Sequence, residues 1–173
     1  RHLLLPVYDD LQMRIALRLL PVRSRFWFLK QQIPDVQQCP NPNCTSIETT
    51  KHLFWECPHS TRTWQLMWED WSIFFTSNLS WTSLILPHKL RVNKRWCSHQ
   101  DAILRLWNVL RCATLHHQWT KRNYICFEDG EPDPMPTATS RIHSAFCCHY
   151  RRLLRISSPD IRKEYERVLR QLR

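Results

Sequence analysis

One glycine, Gly130, serves all 173 residues, whereas tight two-residue hairpins need backbone at positive φ that glycine supplies most readily. This argues against a fold built mainly from such hairpins. Nine tryptophans in the same chain point instead to helices packed through aromatic side chains, so the expected fold is mostly α.

Helical periodicity runs through most of the sequence. Asp9 and Asp10 are placed to cap a helix with an apolar face of Leu11, Ile15, Ala16, Leu19 and Leu20, interrupted by Pro21. Arg23 and Arg25 then alternate with Val22, Phe26, Trp27, Phe28 and Leu29, which predicts a second short helix with its apolar cluster buried. A loop follows from Pro34 to Glu48. Beyond His59, Trp64, Trp68, Trp71 and Phe75 recur at helical spacing, a stripe that reads as core rather than as a base-stacking platform. Asn78 to Pro87 reads as a Ser/Thr-rich connection. Asp101 is placed to cap a long helix carrying Ile103, Leu104, Trp107, Leu110, Thr114 and Leu115 toward Tyr124 and Phe127. Residues 128–136 hold Gly130, three prolines and four acids, which marks a linker. Residues 141–173 carry an excess of six positive charges and read as one or two basic helices.

The net charge of +10 and a pI near 9.6 make polyanions, nucleic acid first, the natural partners. No run approaches the roughly 18 apolar residues of a membrane span, and no secretory signal is visible. The chain reads as intracellular, nuclear or cytoplasmic, without a membrane role. It opens on Arg1 rather than Met, which reads as a fragment of a longer frame.

Eight cysteines in a chain this long and this rich in Trp and Leu suit metal ligation and free thiols better than a disulfide scaffold. Cys39 and Cys44 are separated by four residues, His52 and Cys57 by four, and the two pairs by seven. Both pairs fall within the spacing of structural zinc sites, where two short-range pairs wrap one ion and a loop closes the tetrahedron. Pro40 and Pro42, alternating with Asn41 and Asn43, make the first pair a turn, and Thr49 or Thr50 is placed to cap a short helix presenting His52. Five α-helical residues would carry Cys57 about 140° away from His52, so the helix must end near Cys57, where Pro58 suits the exit. Three thiolates and an imidazole leave no open position for water, so Zn2+ here is structural. His59 is a second candidate ligand, although its separation of two from Cys57 is tighter than the usual pair.

The run Glu48-Thr49-Thr50-Lys51-His52-Leu53-Phe54-Trp55-Glu56-Cys57-Pro58 resembles the Glu-Thr-x-x-His-Leu-Phe-x-x-Cys-Pro signature of the zinc-binding domain of non-LTR (LINE-type) retrotransposon reverse transcriptases. Trp64 matches the family's downstream Trp, and Leu17 to Trp27 is similar to the helical region before its cysteines. Trp119-Thr120-Lys121-Arg122-Asn123 with Phe127 resembles the Trp-x-x-Arg-Asn-x-x-x-Phe element that follows. The resemblance spans roughly residues 11–127. The first cysteine pair departs from it, with four intervening residues where the family has two.

What the resemblance implies is a non-catalytic module that helps a reverse transcriptase hold template RNA or target DNA, within a parent that is an RNA-directed DNA polymerase. The candidate phosphate contacts are Arg23, Arg25, Lys51, Arg62, Lys121, Arg122, Arg151 and Arg152. The competing class is a protein-interaction module or retrotransposon remnant with a purely structural zinc. The expected organisation is a helical domain over 1–127 with its zinc segment at 39–58, an acidic Pro-rich linker over 128–140 and a basic helical tail over 141–173. Tyr8-Asp9-Asp10 lacks the intervening residue of a polymerase Tyr-x-Asp-Asp turn and reads as a helix cap. Cys97 with His99, Cys112 with His116 and His117, and Cys147-Cys148-His149 show no partner at convincing metal spacing, and Cys126 has no assigned role.

Overall fold

The computed structural model describes residues 4–172; positions 1–3 and 173, at the outer ends of the expected domain and tail, lie outside the described residues. Among the described residues the chain forms six α-helices and several single turns, with no strand beyond the isolated antiparallel bridges Gln38–Ile47 and Phe75–Val92. The mostly α expectation holds.

Helix α1 spans Pro6–Ala16. Pro6 occupies its first position, where a missing N–H costs nothing, so Asp9 lies within the first turn instead of capping it, and Asp10 pairs with Arg14 at 2.8 Å. Tyr8, Leu11 and Ile15 form its buried face. The helix stops sooner than its apolar pattern suggests, because Arg18 turns left-handed at φ 55°; Leu17 and Leu19 are exposed while Leu20 returns to the core. Arg23–Leu29 is a pair of 3-10 turns broken at Phe26, not a buried helix. Trp27 and Phe28 stand 68% and 59% exposed, which overturns their assignment to the interior.

Helix α2, Pro58–Trp71, presents Trp64, Met67 and Trp71 to the core and leaves Trp68 half-buried. Phe75 lies beyond the helix end in extended backbone, yet its ring stacks on Trp68 with centroids 5.1 Å apart. The stretch read as a connection contains α3, Trp81–Ile85, whose capping box pairs Ser80 with Ser83 in place of the usual Glu or Gln. Helix α4, Gln100–Phe127, is the 28-residue spine, with Asp101 in its first turn and not at its cap. Trp107 of α4 is fully buried, and the rings of Trp64, Trp68, Trp71 and Phe75 surround it at 5.1 to 6.5 Å. Burying one such side chain contributes about 3 kcal/mol or more, so this cluster is the energetic centre of the fold.

The linker is shorter than expected, since Met135–Ile156 forms α5 directly after Pro134. Buried Ala138, Ile142, Phe146, His149 and Leu153 recur every three or four residues, and that face packs along α4 and against α2. Helix α6, Pro159–Leu169, adds Tyr165 and Val168 to the same core. The region read as a tail is therefore an integral layer of the main hydrophobic core. No helix of the described residues is long and apolar enough to cross a membrane.

Candidate metal centre

The two ligand pairs come from two small devices. In the first, Gln37 to Glu48 folds back on itself: Cys39 N–H donates to Ser46 O at 2.8 Å and Glu48 N–H to Gln37 O at 2.9 Å. The four residues between Cys39 and Cys44 turn without glycine because Asn43 takes the left-handed conformation, φ 63°, that Asn tolerates better than most residues. Cys44 N–H closes the turn onto Asn41 O at 3.2 Å.

In the second, Thr49 caps a single turn by accepting from His52 N–H at 3.0 Å. His52–Glu56 then winds as a π-turn, with Cys57 N–H donating to His52 O at 2.8 Å. An α-helix would set Cys57 on the wrong side of His52; the wider i→i+5 turn accommodates the extra residue. Cys57 is itself extended, φ −58° and ψ 132°, immediately before Pro58 opens α2.

All four side chains are buried, and their ligand atoms lie within 4.8 Å of one another. Cys39 Sγ and Cys57 Sγ are 3.9 Å apart, and Cys44 Sγ lies 3.3 Å from His52 Nε2. Such a group could hold a metal ion, and it is the one metal-ligating cluster found among the described residues. Asn41 Nδ2 donates toward Cys57 Sγ at 3.4 Å and Cys39 Sγ at 3.7 Å. Cys57 is held below the usual thiol range, first by the hydrogen bond from Cys39 and, against the effect of burial, by the His59 backbone N–H at the start of α2. Burial pushes the Cys112 thiol, far along α4, up to about 11.

His59 is half-buried and stands outside the cluster, lining a small cavity with His117 and Lys121. His52→Ala is expected to abolish stoichiometric metal in the purified protein, whereas His59→Ala keeps it. Elemental analysis of the two variants separates the two registers, and metal lost only from the second would reverse the assignment.

The signature residues around the ligands each do structural work. Leu53 and Phe54 enter the core, Ser60 Oγ donates to Leu53 O at 2.6 Å, and Trp64 Nε1 donates to Phe54 O at 2.6 Å. Glu48 is fully buried: Arg122 Nε donates to its Oε1 at 2.8 Å, Arg122 Nη2 to its Oε2 at 2.7 Å, and Arg23 N–H to Oε2 at 2.7 Å. Around the same guanidinium lie the rings of Trp119 and Phe127 and the amide of Asn123. Sequence reasoning treated Glu48 and Arg122 separately; their joint presence in the two quoted segments was the available signal.

This pairing removes Arg122 from the phosphate contacts. Lys121 is also largely consumed, 2.8 Å from Asp133, and Arg23 Nε donates to Val36 O at 3.0 Å. Arg152 is half-buried and reaches Leu4 O. Arg25, Lys51, Arg62 and Arg151 are exposed, and only Arg25 and Lys51 of these line a common cleft. No protein-family model, curated protein or solved structure matches this chain.

Proposed function

We propose that this chain is a non-catalytic, zinc-stapled nucleic-acid-binding module of a non-LTR retrotransposon reverse transcriptase, holding template RNA or target DNA in an intracellular ribonucleoprotein. The observation that carries the reading is the buried Glu48–Arg122 pair, which joins the two sequence segments that resemble that family's zinc-binding domain. The contact packs segments 74 residues apart against each other, which supports reading the two resembling segments as parts of one unit.

Zinc is the metal that fits best. Bonds of about 2.3 Å to sulfur and about 2.0 Å to nitrogen place tetrahedral ligands about 3.8 Å apart for two sulfurs and about 3.5 Å for sulfur and nitrogen. The corresponding separations here are 3.9 and 3.3 Å. Three soft thiolates with one imidazole also suit zinc over harder cations.

The net charge of +10 supports the nucleic-acid partner. Four to six phosphate contacts predict that the logarithm of affinity for a single strand falls with the logarithm of salt at a slope of about −3 to −4. Fluorescence titrations of the metal-loaded chain at several salt concentrations measure that slope. An absence of affinity even at low ionic strength would put the protein-interaction reading in front. That second reading has its own support in the exposed apolar side chains of Trp27, Phe28, Ile33 and Ile47.

A further inference from the structure

A cleft of about 700 Å3 opens between the end of α1, the 3-10 turns at Arg23–Leu29, the capped turn before His52 and α3. Its lining includes Arg18, Arg25 and Lys51 and no carboxylate. Lys51 is paired with Glu56 at 2.6 Å on the surface, but among the described residues neither arginine is ion-paired. Arg25 Nη1 donates to the Arg18 backbone carbonyl at 2.9 Å, which ties the Arg25 side chain to the chain at the exit of α1. Trp81, half-buried at the first position of α3, lines the cleft too, together with the hydroxyl residues Ser24 and Thr50.

We propose that this cleft seats a short stretch of single-stranded RNA, with phosphates at Arg18 and Arg25 and a base stacked on Trp81. The proposal rests on the nucleic-acid reading above and assigns it a place. Unpaired cations facing a concavity without acids match a phosphate backbone, and one aromatic ring beside them is the pairing that single-strand binders use. A duplex is convex and stiff, and it would touch only the rim of such a cleft. The hydroxyls of Ser24 and Thr50 are groups that hydrogen-bond a ribose 2′-OH, which deoxyribose lacks. Arg18 was absent from the contacts expected from sequence because its orientation depends on the left-handed exit of α1.

The test uses the metal-loaded full chain and a fluorescein-labelled oligouridine of twelve nucleotides. Replacing Arg18→Gln and Arg25→Gln together is expected to make the log–log salt slope shallower by about 1.4, two contacts at about 0.7 each. Trp81→Leu is expected to weaken binding about fivefold or more, and Trp81→Phe to recover most of that loss, because stacking needs a ring and packing alone does not. A strand carrying 4-thiouridine should cross-link to the peptide containing Trp81 in the unaltered protein, a result independent of how the variants fold. Binding with unchanged slope and with cross-links only elsewhere would overturn the cleft while leaving the nucleic-acid reading intact. No binding by the unaltered chain at low salt would overturn both. An oligodeoxyuridine bound as tightly as the RNA would overturn the choice of RNA.

Discussion

Stripping the metal with a chelator, or replacing Cys57 with Ser, is expected to lower the thermal unfolding midpoint by roughly 10 °C or more, since 1 kcal/mol moves a protein of this size by about 2–4 °C. Structural zinc binds with about 10–16 kcal/mol of apparent free energy in small peptides, and even a third of that is a large share of a domain's usual stability of about 5–15 kcal/mol. The damage spreads because the metal turn also supplies Leu53 and Phe54 to the core and an acceptor, Phe54 O, to Trp64. A serine hydroxyl is a poor substitute for a thiolate at such a site. Calorimetry of the loaded and chelated protein checks the shift. A metal-free chain that unfolds at the same temperature would show that the four residues are packed together for another reason.

The second large effect is expected at the buried ion pair. Arg122→Ala should cost about 3–5 kcal/mol in urea unfolding, since it strands the Glu48 carboxylate with only the Arg23 N–H as partner in a place without solvent. Replacing both partners, Glu48→Leu with Arg122→Met, should recover much of that loss, because an apolar pair leaves no charge to desolvate. The difference between the single and double variants measures the coupling. A loss under about 1 kcal/mol for Arg122→Ala would mean that water reaches the carboxylate.

Much of this architecture was legible from periodicity. The faces of α2 and α4 follow their Trp and Leu spacing, and the four candidate metal ligands follow from short-range pairs within nineteen positions. What escaped depends on contacts between distant segments. Trp27 and Phe28 have the composition of a buried helix, but no neighbouring element covers them. Residues 141–173 were set apart by charge, whereas their apolar face, Ile142 to Val168, finds α4 only in three dimensions. Arg122 has the ordinary appearance of a surface cation until Glu48 is placed beside it. The His52–Cys57 spacing conflicts with α-helical geometry, and the π-turn, a local form that periodicity does not announce, relieves the conflict.

That arrangement also bears on the sequence of events during synthesis. The metal donors leave the ribosome within a short length of chain, and closing so small a loop carries a modest entropy cost. Ion capture therefore does not have to wait for the spine. Glu48 does wait: its partner follows 74 residues later, an interval of several seconds at typical rates of elongation of about 5–20 residues per second. Before that the carboxylate has only the earlier-made Arg23 N–H of its two partners, so its full pairing requires the late-made half of the protein to dock onto the early one.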